Sequence, residues 1–140
     1  MRGFASISAA AVSTAALLTA CQVGNGEDDV CGNADGALTR AGFIFVRAPG
    51  SGERVSSGFR ASGCSSTFEA SVNWRIRGKD GRVLASGVTQ GGSYESGVFE
   101  FTVEYSIAAH QVGELEVYEP RVTREGFPPS KDLVPLVLEP

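Results

Sequence analysis

The residues able to do chemistry are few and scattered. His110 is the single histidine and could act as a general base. A Ser-His-Asp arrangement would also need an activated serine, and the chain has no G-x-S-x-G elbow. His110 is therefore expected to be a solvated loop residue, and no catalytic residue is assigned. Glu100, Glu104, Glu114, Glu116 and Glu119 alternate along two late segments. On neighbouring strands they would form an acidic face, suited to a weak Ca²⁺ site or a basic partner. Such a face more often serves solubility and guards against edge pairing. Paired carboxylates also serve glycosidases, but only around a cleft with a controlled separation. Arg75, Arg77, Lys79 and Arg82 surround Asp80-Gly81. They could meet an anionic wall polymer or phospholipid, or be neutralised across strands by the glutamates. Tyr94, in the glycine-rich segment 90–97, and Phe127, beside Pro128-Pro129, are the better binding candidates. Exposed loop aromatics suit sugars or a protein partner, although such rings can also fold down onto a core.

Three cysteines complete the inventory. The stretch before Cys21 has Arg2 as its only charge, followed by the small, apolar residues 3–18. That is an export signal, too short and too rich in Ala and Ser for a spanning helix. It ends in Leu18-Thr19-Ala20-Cys21, which resembles the lipobox of bacterial lipoproteins. The resemblance implies cleavage after Ala20, a diacylglyceryl thioether on Cys21 and further acylation such as palmitate. An ordinary secretory signal with a coincidental cysteine is the alternative. Two or three acyl chains would hold the protein stably, since each buried methylene contributes about 0.8 kcal/mol. Gln22 follows the cysteine rather than Asp, which in a host with two membranes implies the outer one. Loss of residues 1–20 removes one base and no acid, so the net charge moves from −4 to −5.

An odd cysteine count in an exported chain leaves Cys31 and Cys64 as a pair. In an oxidising compartment two nearby thiols normally join. The bond would close a loop of about 34 residues and contribute roughly 3–4 kcal/mol in the chain-entropy model. Two free thiols are the alternative. Two cysteines and one histidine without CxxC spacing do not fit a zinc site, and no metal or cofactor is expected.

The elements that must position these residues follow from composition and period. A length of 140 residues, 42% apolar and 20% charged, suits one folded domain rather than a disordered chain. An acidic balance argues against nucleic acid as a partner. The 18 glycines have no collagen period and mark turns. Three regions result: a signal peptide at 1–20, a lipidated Cys21 with a flexible tether at 21–40, and a folded domain at 41–140. As a coil, the tether residues 22–39 would reach roughly 23 Å.

From residue 41 apolar residues alternate with period two. Strands are expected at 43–47, 55–62, 68–77, 83–88, 98–107, 114–118 and 133–138. A tight primed turn is expected at Asp80-Gly81, and Pro135 points to an edge or a bulge. The expected core is Phe43, Phe45, Val72, Trp74, Ile76, Phe99, Phe101, Val103, Leu115 and Val117. About seven strands with close turns and no amphipathic helix make an all-β, immunoglobulin-like β-sandwich the economical architecture. Trp74 lies on the third strand, where such sandwiches often bury a tryptophan, but the antibody-type inter-sheet disulfide has no cysteine on the sixth.

An ordered series of short motifs carries a family resemblance. It runs from Ile44-Phe45-Val46, Pro49, Gly52 and Val55-Ser56-Ser57 through Gly63 and Phe68-Glu69-Ala70 to Trp74-Arg75-Ile76-Arg77. It continues through Asp80-Gly81-Arg82-Val83-Leu84-Ala85, Gly87, Gly97, Phe99, Gly113, Leu115, Val117 and Glu119. The series resembles the Gmad2 domain, an immunoglobulin-like domain named from bacterial spore-germination and sporulation proteins, over about residues 43–138. The resemblance implies an exported or membrane-anchored envelope protein with a binding role, and it carries over no catalytic residue. Cys64 stands where a small or hydroxyl residue is expected. The expected function is a non-catalytic interaction module. It would be lipid-anchored at the cell surface or in the periplasm and contact another envelope protein. A peptidoglycan- or glycan-binding module is the alternative, and a small hydrolase is disfavoured.

Overall fold

The computed structural model describes residues 31–32, 42–93, 95–120 and 129–140. Two sheets face each other. The smaller has the order β1-β3-β6, formed by Phe43–Ala48, Phe59–Ser66 and Gly97–Val103. The larger has the order β2-β8-β7-β4-β5, formed by Arg54–Val55, Lys131–Leu138, Gln111–Tyr118, Ser71–Arg77 and Val83–Gln90. All pairings are antiparallel except β2 with β8. This is an immunoglobulin-like sandwich whose opening segment, β1 then β2, passes from one sheet to the other.

Alternation fixes which side of each strand is dry. Val72, Trp74 and Ile76 of β4, Leu115 and Val117 of β7, and Phe99, Phe101 and Val103 of β6 are buried between the sheets. The Trp74 and Phe101 rings stack across the gap at 4.9 Å, nearly parallel. Gly87 lies opposite Trp74, and a Cβ there would come within 2.6 Å of the indole. Only glycine lets the ring lie flat at that position. Tyr105 sets its hydroxyl between the carbonyls of Val55, at 2.7 Å, and Glu139, at 2.8 Å, sharing its single proton between the two acceptors. Val46 N–H donates to Asp132 Oδ2 at 2.8 Å, joining β1 to β8.

Four expectations need correction. Phe45 is 58% exposed and Phe43 only half-buried, while Ile44 and Val46 face the core. The run FIFV is apolar in both phases, and the aromatic space inside is already filled by Trp74, Phe99 and Phe101. The single strand expected at 55–62 is two strands in different sheets, separated by a turn at Gly58 with φ +89. Residues Phe68–Ala70 form a 3-10 turn with positive φ at Glu69 and Ala70, so β4 begins at Ser71. The β4–β5 hairpin is not a two-residue primed turn. Gly81 alone takes positive φ, +77, after a turn closed by Gly81 N–H to the Gly78 carbonyl at 2.9 Å. That is the three-residue form with a glycine bulge.

Pro135 lies on the side of β8 that faces the two-residue β2. Its carbonyl accepts from Gly52 N–H at 2.8 Å, and its missing donor is not needed there.

Candidate functional site

The five-stranded sheet presents its outer face through Asn73, Arg75 and Arg77 of β4, flanked by β5 and β7. Cross-strand register puts Arg75 opposite Glu116, Arg77 opposite Glu114, and Asn73 opposite Tyr118. Beyond β7, β8 places Lys131 opposite Tyr118, Leu133 opposite Glu116, and Pro135 opposite Glu114. Arg75 Nε donates to the Glu116 carboxylate, and Arg77 Nε stands 3.7 Å from the same oxygen. The Arg75 guanidinium also covers the Tyr118 ring at 4.9 Å.

Glu116 is 8% exposed, an unusual place for a carboxylate on an outer sheet face. The hydrogen bond from Arg75 holds it below the usual carboxylate range, against the opposing effect of burial, with the Arg77 and Lys131 charges adding to the shift. The same bond raises Arg75. Beside this cluster runs a groove of about 350 Å³ lined by Arg75, Glu116, Tyr118, Glu119, Pro129, Ser130 and Lys131, in which two bases stand among two carboxylates. A more open depression of about 370 Å³ continues past Arg77, Lys79, Val112, Glu114 and Pro135. Between and beside these charges the face is apolar: Val88 is 66% exposed, Val112 63% and Leu133 43%.

The acidic face expected from the five glutamates does not form. Glu100 is on β6 and Glu104 lies just beyond it, whereas Glu114 and Glu116 are on β7 in the other sheet. Glu100 pairs with Arg60 on its own small sheet. Glu119, expected outward, is buried. It accepts from Phe68 N–H at 2.6 Å and Ser130 N–H at 3.3 Å, a clamp between three chain segments. Its alternating position concealed this, because backbone donors from sequence-distant loops leave no local signal.

Of the arginine candidates, Arg75 and Arg77 come together on Glu116. Arg82 sits exposed beyond the hairpin turn, where its backbone N–H donates to Asp80 Oδ1 at 3.0 Å. His110 is exposed between β6 and β7. Tyr94, Phe127 and the lipidation candidate Cys21 lie outside the described residues. Cys31 and Cys64 are joined in a disulfide, with Cα atoms 5.4 Å apart. Among the described residues no group of three or more His, Cys, Asp or Glu could hold a metal, and no helix is long and apolar enough to cross a membrane.

The sandwich, the buried tryptophan on β4 and the glycine-marked turns coincide with one family model. Residues 43–122 match Gmad2, the immunoglobulin-like domain of bacterial spore germination. The chain belongs to the Gmad2 family. No curated protein matches it. The matched stretch holds β1 to β7 and so includes Arg75, Arg77, Glu116 and Tyr118. The Gmad2 match stops short of β8, which supplies Lys131 and Leu133 and completes the outer face.

Proposed function

We propose that this Gmad2 protein is a non-catalytic interaction module, exported and lipid-anchored through Cys21, that docks another envelope protein on the outer face of its five-stranded sheet. One observation carries the reading: that face sets three exposed aliphatic side chains, Val88, Val112 and Leu133, around an arginine pair already oriented by Glu116. Apolar area supplies association energy, and pre-ordered guanidinium groups lose little freedom on docking. The chemistry suits a partner with aliphatic side chains beside carboxylates, which Arg75, Arg77 and Lys131 would meet. The lipobox resemblance at Leu18-Thr19-Ala20-Cys21 supports the anchor. The Cys31–Cys64 disulfide accords with an oxidising compartment.

The test is photo-crosslinking of the full lipidated chain in its own membranes, with a benzophenone amino acid at Leu133 or, as a control, at exposed Thr102 on the other sheet. A discrete protein adduct from Leu133 and none from Thr102 is expected. Retention on purified sacculi at moderate salt, with no protein adduct, would transfer the reading to a wall glycan. Retention at low salt alone would reduce it to charge attraction.

A further inference from the structure

The disulfide has a definite place on the small sheet. Cys64 lies on β3, the middle strand, in register with Phe45 on β1 and Val98 on β6. Ile44, Val46, Ala61 and Phe99 alternate with these residues and are buried, so Phe45, Cys64 and Val98 share the outer side. Cys31 therefore reaches that face from outside. It is covered there, at 8% exposure, while Phe45 and Val98 beside it are 58% and 57% exposed. The strand charges on this face are Arg47, Arg60 and Glu100, with no excess of carboxylates for an anionic surface to repel.

We infer that the disulfide fixes which side of the domain faces the membrane: the β1-β3-β6 face, with Phe45 and Val98 resting in the lipid headgroup region. The inference rests on the proposed lipid anchor at Cys21. Its occupant is the anchoring bilayer, and chain length is the reason. Cys31 lies ten positions beyond Cys21 in the sequence. The link extends at most about 33–36 Å and has an r.m.s. reach of about 17 Å. The two sheets of a sandwich lie about 10 Å apart, so with its outward side chains the body is roughly 20–25 Å thick between its outer faces. With the five-stranded face against the lipid, the link would have to cross one neighbouring strand, about 5 Å, and then that thickness. That route of roughly 25–30 Å lies close to full extension and well beyond the r.m.s. reach, so it is strongly disfavoured by chain entropy. With the small sheet down, the link needs only a fraction of its length. Phe45 and Val98 then gain an apolar environment, and the Arg75–Glu116 face points outward. Without the bond the link to the first strand of the domain runs to Phe43, 22 residues from Cys21. That link has an r.m.s. reach of about 26 Å and a contour long enough for any orientation.

The experiment uses the full lipidated chain in vesicles of phosphatidylethanolamine and phosphatidylglycerol whose acyl chains carry shallow bromines. Phe45→Trp and Val88→Trp each place an exposed indole on one face, and buried Trp74 gives a common background. Quenching of the added emission at least twofold stronger for Phe45→Trp is expected, falling towards equality when Cys31→Ser and Cys64→Ser are added. Equal quenching with the disulfide intact, quenching at Val88→Trp alone, or quenching at neither overturns the orientation while leaving the anchor in place. Intact mass read on the same sample separates the two readings. An unmodified Cys21 on a chain that does not partition to vesicles overturns the anchor, and the orientation with it.

Discussion

Glu116 holds two arginines on one carboxylate, and its titration is a stability signal. Its folded pKa lies below the ordinary carboxylate value, chiefly through the Arg75 hydrogen bond. A depressed carboxylate contributes stability that is present above its unfolded pKa, near 4.3, and lost as pH falls through the folded value. Arg75 and Arg77 are each about a third exposed, so solvent screens the pair and its contribution is modest. Glu116→Gln is expected to cost about 1 kcal/mol at pH 7 and to flatten the acid limb of stability below pH 5, read by denaturant midpoints across pH. Tyr105 gives the opposite limb. Burial raises its phenol above the ordinary value. A raised group contributes stability that is full below the unfolded pKa, near 10, and lost as pH rises through the folded one. Tyr105→Phe is expected to cost about 1–2 kcal/mol through the lost bonds to the Val55 and Glu139 carbonyls. It should also make the alkaline limb shallower in the same titration.

At the scale of elements, two predictions separate packing from cross-linking. Gly87 passes beneath the Trp74 indole, where an added Cβ meets ring atoms at 2.6–2.9 Å. Gly87→Ala should therefore tilt the Trp74–Phe101 stack and cost about 1–3 kcal/mol, with a change in near-ultraviolet dichroism that reports the ring. The disulfide acts through chain entropy, across a separation of 33 residues. A loop of that length corresponds to about 3–4 kcal/mol in the chain-entropy model. Cys31→Ser with Cys64→Ser should lower stability by up to that amount, measured by melting with and without reductant. The strands that alternate strongly were legible: β4, β6 and β7 carry the core residues read from their period. The failures have physical causes. Residues 43–46 are apolar on both faces, so packing space rather than pattern chose Ile44 and Val46. The middle strand of the small sheet ends in Gly63-Cys64-Ser65-Ser66, small and polar residues that give no strand signal. Neutralisation of the arginines by glutamates across strands was legible as one alternative, but the choice of Glu116 for Arg75 was not, because it depends on the β4–β7 register. Nor was the separation of Glu100 from Glu114, since it depends on successive strands going to opposite sheets.

On the scale of the whole molecule, the two outer faces differ in kind. The small sheet bears the disulfide and its two exposed apolar neighbours, the large sheet an oriented charge pair within aliphatic surface. A substitution that tests docking should therefore act on one face and leave the fold alone. Val88 and Leu133 suit this, because their exposure means that little packing is lost when they change. Surface changes of this kind usually stay within about 0.5 kcal/mol of the parent. Glu at either position puts a carboxylate where an aliphatic contact is proposed, so it should repel the acidic side chains of a partner drawn by Arg75 and Arg77. Val88→Glu is expected to keep the melting temperature and membrane retention of the parent while reducing at least tenfold the adduct formed by a benzophenone at Leu133, and Leu133→Glu is expected to do the same to the adduct formed by a benzophenone at exposed Val112. Thr102→Glu, on the opposite sheet, should leave both adducts unchanged. Equal loss from all three would mean that the partner recognises net charge rather than this face. No loss from the first two would place the docking surface elsewhere on the domain.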